Sequence, residues 1–240
     1  MTTELIIGIP GPWPDRTDFI RRVITEDPKG RHVYAGMVLA DMEAKDNVPC
    51  EFLSADAGTQ GAFEIAGQGK IPRHVLARLG EGKGVVYLHF PPDLLKHRER
   101  VLKFTKLLQS LGGIAVKLES AGIAHTWERW SELLSGSTFD LYSAAVVLVG
   151  DKDGFYSCGM HQFGLPECGV SSTIAPEQAA ELMNHFNLWQ LAEQPQLAPG
   201  HTFSLAAAAP RFRMSHHQDT RHDRGDLFHN PHGIWRLDAA

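Results

Sequence analysis

Cysteine is scarce in this chain of 240 residues: Cys50, Cys158 and Cys168 are the only three. So small and odd a number excludes a disulfide framework. Long apolar runs are missing as well. No stretch approaches the roughly 20 residues that a membrane helix needs, and Leu5–Ile9 is short and interrupted by Gly8. No apolar segment follows an N-terminal positive charge, so no secretory signal and no membrane partner are expected, and the expected location is the cytoplasm. A concentrated basic surface is also lacking. The formal net charge is -5, and the tightest basic group (Lys96, His97, Arg98, Arg100, Lys103 and Lys106) is interrupted by Glu99 and reads as one solvated helix face. Phosphate backbones need more than that, so nucleic acid is not an expected partner.

What is present is an ordinary globular balance, 43% hydrophobic and 21% charged, in a chain long enough for one large domain or two small ones. Thr3–Ile9 reads as a strand. Asp15 is placed to cap a helix carrying Phe19, Ile20, Val23 and Ile24 on one face, and the breakers Asp27-Pro28-Lys29-Gly30 end it. Val33–Met42 and Val48–Asp56 read as neighbouring antiparallel strands, Gly61–Ile65 and Pro72–Leu79 as short helical stretches, and Val85–Phe90 as a β-branched strand. Asp93–Leu111 has helical spacing of Leu94, Val101, Phe104, Leu108 and Leu111, stopped by Gly112-Gly113. Ile114–Glu119 alternates as a half-buried strand, and Thr126–Leu134 is a short helix. Leu141–Val149 is apolar almost throughout and is expected as a central strand. Asp151-Lys152-Asp153-Gly154 turns into the strand Phe155–Met160. Pro176–Leu191 is a helix with proline at its start, and Thr202–Ala208 a last strand.

Strand, helix and hairpin patterns thus recur. The expected fold is α+β: two merged ferredoxin-like (split βαβ) halves with a mostly antiparallel sheet and helices packed on one face. Residues 1–240 are expected to form one continuous unit, with sub-halves near 1–90 and 85–210. The polar residues 211–240 then form a tail that docks through Ile234-Trp235.

Three groups of side chains could carry chemistry. Cys158 and His161 have a spacing that can reach one zinc ion, with Cys168 as a third ligand and Glu167 alongside. The tail histidines His216, His217, His222 and His229 interleave with aspartates, a donor set that suits zinc, nickel or iron. Glu119, Ser120 and His125 sit where a strand hands over to a helix, and a His beside a Glu could exchange protons. Each group also has a plainer reading as packed cysteine, exposed tail or helix cap. A phosphate loop at Gly8–Trp13 fails because its prolines remove the N–H groups such a loop uses. No cofactor and no catalytic residue are therefore expected, zinc being the ion these groups would suit.

Several segments together resemble a known family: Ile7-Gly8-Ile9-Pro10-Gly11-Pro12-Trp13, Tyr34-Ala35-Gly36-Met37-Val38-Leu39, Glu119-Ser120-Ala121-Gly122-Ile123-Ala124-His125, Tyr156-Ser157-Cys158-Gly159-Met160-His161 and the ending Asn230–Leu237. The chain is similar to the uncharacterised bacterial family with the domain of unknown function four-two-six-one, differing from it in Glu167, where the family has aspartate, and in Cys168. The resemblance carries no activity and no catalytic residues. Its context suggests an immunity protein that neutralises a secreted toxin. A non-enzymatic protein-binding module is accordingly expected, with exposed Asp41, Glu43 and Asp46 as its contact to a basic partner. The alternative is a metal-dependent hydrolase built from tail histidines with Glu119 or His125.

Overall fold

The computed structural model describes residues 4–26 and 30–240, so the expected helix stop at Asp27-Pro28-Lys29 lies outside the described residues. The fold is mixed α+β, with seven α-helices and two mostly antiparallel sheets among the described residues. Two compact units account for it: Glu4–Pro91 with Lys96–Ser135, and Pro92–Leu95 with Gly136–Ala240.

In chain order the first unit holds β1 (Leu5–Gly11), α1 (Arg16–Thr25), β2 (His32–Ala35), β3 (Val38–Asp41), β4 (Asp46–Ser54), α2 (Thr59–Ala66), α3 (Arg73–Gly80) and β5 (Gly84–Phe90). It continues with α4 (Leu94–Ser110), β6 (Val116–Leu118), β7 (Ile123–His125) and α5 (Trp127–Ser135). Its sheet runs β2-β3-β4-β5-β1-β6-β7, with every neighbouring pair antiparallel. Asp15 caps α1 as its position implies, accepting from the Asp18 N–H at 2.8 Å. The expected single strand Val33–Met42 is instead a hairpin. Gly36 takes φ +63, a conformation that reverses the chain cheaply only without a Cβ.

Register sorts this sheet into two faces. Leu5 opposite Phe90, Ile7 opposite Leu88 and Ile9 opposite Val86 face inward, as do Tyr34, Leu39, Val48 and Cys50. Helices cover this inner face. Phe19 of α1 meets Tyr34 and Phe52 with ring centroids 5.0 and 5.9 Å apart, and Phe104 of α4 lies 6.4 Å from Phe90. Buried indoles spend their N–H groups within the layer: Trp13 on Leu111 O at 2.9 Å, Trp127 on Gly113 O at 2.8 Å and Trp130 on Thr105 Oγ1 at 3.0 Å.

The second unit holds α6 (Thr138–Ala145), β8 (Val147–Asp151), β9 (Gly154–Cys158), a 3-10 turn (Met160–Phe163), β10 (Glu167–Val170), α7 (Pro176–Glu193), β11 (Thr202–Phe203), β12 (Phe212–His217) and β13 (Ile234–Ala239). The order is β11-β12-β13-β10-β9-β8, with β10 and β13 parallel and the other pairs antiparallel. Cys168, Val170, Met214, Trp235 and Leu237 pack on Leu182, Met183 and Phe186 of α7.

The expected central strand Leu141–Val149 is contradicted here. Its first half is helix α6, and its second half is β8, at the sheet's edge. The reason is local: Ser137 and Asp140 form a reciprocal capping box that starts a helix, burying Leu141, Tyr142, Ala144 and Ala145. A continuous apolar run is compatible with either element. Ser137→Ala should therefore lower stability by about 1 kcal/mol, read as a lower urea midpoint with unchanged slope. The expected strand Thr202–Ala208 shrinks to Thr202–Phe203. Residues 211–240 are more than a docked tail: they supply β12 and β13, and β13 sits inside the sheet between β12 and β10.

Candidate functional site

The polar positions marked out by sequence divide between the two units. In the second, Glu167 at the start of β10 is nearly fully buried. Its Oε2 accepts from the Ser157 hydroxyl at 2.7 Å. Its Oε1 accepts from Asn230 Nδ2 at 2.9 Å and the Gly159 N–H at 3.1 Å, with His161 Nδ1 at 3.2 Å. Ser157 in turn accepts from the Cys168 N–H at 2.9 Å, and Asn230 also donates to Leu165 O at 2.9 Å. Gly159 reaches this position at φ +125, where a Cβ would lie 2.0 Å from Ala145 O. Both carboxylate oxygens of Glu167 are thus engaged by neighbouring donors. The cluster is a pin: it ties the 3-10 turn and the segment 218–233 to the sheet.

His161 and Glu167 are thus brought together, with the buried thiols of Cys158 and Cys168 beside them. Burial, and then the charge of Glu167, raises the Cys158 and Cys168 thiols far above their ordinary range, so in this metal-free arrangement they stay protonated. The tail histidines are spent separately. His216 Nε2 lies 2.9 Å from His232 O, His217 Nε2 lies 2.9 Å from Ser215 Oγ, and His229 Nδ1 lies 3.1 Å from His222 O. His222 packs between the rings of Tyr156 and Phe228. Among the described residues no three His, Cys, Asp or Glu side chains are placed to hold one metal ion.

Glu119, Ser120 and His125 belong to the first unit. Ser120 and His125 are buried, and the His125 ring stacks on Trp130 at 5.9 Å. Glu119 pairs with Lys117 at 2.6 Å. The expected exposed patch of Asp41, Glu43 and Asp46 needs correction. Asp41 is fully buried and bonded by Arg31 at 2.8 and 3.0 Å, and Lys103 stands 3.5 Å away. Asp46 pairs with Arg100 at 2.9 Å and Lys103 at 2.7 Å, so these two cations of α4 are not merely solvated; Glu43 alone is widely exposed.

The side of the first sheet opposite its covering helices carries the more telling arrangement. One row crosses the strands as Glu51, Tyr87, Gly8, Lys117 and Ala124. At the β7 end this face is covered, since Ala124 packs with Phe63, Ala66, Ile71, Val75 and Leu79 of the α2–α3 segment. Toward β2 it is open: Val33, Val38 and Leu53 are 37%, 38% and 48% exposed, beside exposed Ala35 and Pro49. Between the two regions lies a cleft of about 300 Å³ lined by Asp56, Thr59, Phe63, Tyr87, Lys117 and Glu119. Gly8 leaves room there, because a Cβ would sit 2.4 Å from Glu119 Oε1. Burial raises the Tyr87 phenol above its ordinary range, and Glu119, Asp56 and Glu51 raise it further, so it remains a neutral donor.

Sequence reasoning missed this face because Cys50–Leu53 carries apolar side chains at both parities; only strand register separates outward Leu53 from inward Cys50 and Phe52. Asn230 lies in the ending Asn230–Leu237 but carries no sequence signal of its own. No family model, no curated protein and no solved structure matches the chain.

Proposed function

We propose that the chain is a protein-binding module without catalysis of its own, docking through the outer face of the first unit's sheet. The observation that carries this reading is the exposed apolar group Val33, Ala35, Val38 and Pro49, which adjoin across β2, β3 and β4 on one uncovered sheet face, with exposed Leu53 further along β4 on the same face. Contiguous apolar surface of this kind marks interaction sites. Glu51 stands on the same face between Pro49 and Leu53, and Asp56 lines the adjoining cleft where Glu119 is paired with Lys117, so a partner with an apolar centre and a basic rim is favoured. Neutralising a basic toxin, as an immunity protein does, fits that chemistry and the family resemblance. The engagement of Glu167 and Ser157 by their neighbours supports a non-enzymatic role. A split βαβ, ferredoxin-like reading of this unit is supported by its strand order β4-β5-β1-β6, in which β1-α1 leads toward β4 and β5-α4-β6 returns.

The test is co-expression with each neighbouring gene product. The paired change Val38→Asp with Leu53→Asp should abolish the complex that the unaltered chain forms on size exclusion. Leu227→Asp, at an exposed position of the second unit, should leave it intact. Equal retention of the complex by both variants would reject the assigned face.

A further inference from the structure

The geometry points to an oxyanion site of the phosphate class in the second unit, independent of the docking face. A cleft of about 590 Å³ opens between the β8–β9 hairpin and the segment after β12, lined by Asp151, Asp153, Tyr156, Thr220, Arg221, His222 and Arg236. Register sets its floor. Tyr156 on β9, Gly169 on β10 and Arg236 on β13 fall in one row across the sheet, and Gly169 puts no side chain between the ring and the guanidinium.

The donors of this cleft are left over from folding. Arg236 is half-buried, yet its guanidinium meets no carboxylate and no hydrogen-bond acceptor among the described residues, and neither does the Thr220 hydroxyl. His222 packs its ring against Tyr156 at the wall of the cleft. Burial, with Cys158 and Asp151 adding, raises the Tyr156 phenol, which therefore keeps its proton as a further donor. Arg221 lies over the Tyr156 ring at 4.5 Å and stands 3.6 Å from Asp151.

The acceptors are fewer and partly used. Asp151 Oδ1 takes the Asp153 N–H at 2.7 Å, and its Oδ2 faces Arg221. Asp153 is exposed at the hairpin. A partly buried cation without a counter-charge is costly. A ligand that brings several acceptor oxygens and negative charge offsets that cost, and the exposed Thr220 hydroxyl can donate to it. A tetrahedral oxyanion fits this donor set, with Arg236 making the charge-assisted contact and Thr220 and the Tyr156 phenol beside it.

The probe is inorganic phosphate, titrated calorimetrically and by NMR of the arginine Nε–H groups, with O-phosphoserine as a second arm. The expected result is one saturable site with shifts at Arg236 and Arg221, weakened roughly tenfold or more in Arg236→Gln. Arg211→Gln, which removes the same charge at an exposed position elsewhere, should bind as the unaltered chain does. Tighter binding of O-phosphoserine would identify a phosphate carried by a larger ligand; tighter binding of inorganic phosphate would identify the free ion. Absence of saturable binding in both arms, unchanged affinity in Arg236→Gln, or an equal loss in Arg211→Gln would overturn the assignment.

Discussion

Glu167→Ala is expected to be the most damaging single substitution in the second unit, lowering stability by about 4 kcal/mol in urea denaturation. The loss comes from what is left behind more than from what is removed. Ser157, Asn230, the Gly159 N–H and His161 all point at the deleted carboxylate from buried positions. Glu167→Gln keeps the shape and one acceptor oxygen but turns an amide toward donors, so its loss should be smaller and of the same sign. The alanine variant should also release the segment 218–233, visible as faster amide exchange there than in α7. If Glu167→Ala costs less than 1 kcal/mol, the pin described here does not hold the second sheet together.

The first unit has a comparable buried carboxylate whose effect appears in the pH dependence. Asp41 is held well below the usual carboxylate range, first by the Arg31 hydrogen bonds, with Ala44 N–H and Lys103 adding and desolvation opposing. A folded-state value below the unfolded one means the contribution is complete above the ordinary range and is lost as pH falls below about 4. Arg31 and Lys103 are partly exposed, which screens the interaction, so Asp41→Ala should cost about 2 kcal/mol near neutrality. Between about pH 4 and pH 2 the variant should lose less stability than the unaltered chain, because the group that titrates is gone. Parallel stability profiles for the two chains would contradict the assignment.

Much of the fold was legible because local signals agreed with it. The Asp15 cap, the apolar period of Asp93–Leu111, the β-branched Val85–Phe90 and the proline at the head of α7 each define their element without help from distant residues. Two misreadings share a cause. The run Leu141–Val149 carries no period, and the decisive signal was the capping pair just before it, Ser137 and Asp140. Val33–Met42 looks like one strand unless Gly36 is allowed its positive φ. The candidate surfaces were less legible for a different reason. Glu167 and His161 could be named from sequence, but their partner Asn230 lies 63 positions downstream of Glu167. Asp41 looked exposed because its partners Arg31 and Lys103 come from a preceding segment and from α4. Which strand side chains face outward depends on pairing between β4, β5 and β1, a long-range property.

Hydroxyl-radical footprinting of the chain alone and in the complex isolated by co-expression tests the proposed docking face most directly. Protection is predicted at Met37, Leu53 and Tyr87, with Phe139 and Leu227 in the second unit labelled equally in both states. Protection confined to Phe139 and Leu227, with Met37, Leu53 and Tyr87 unchanged, would contradict it.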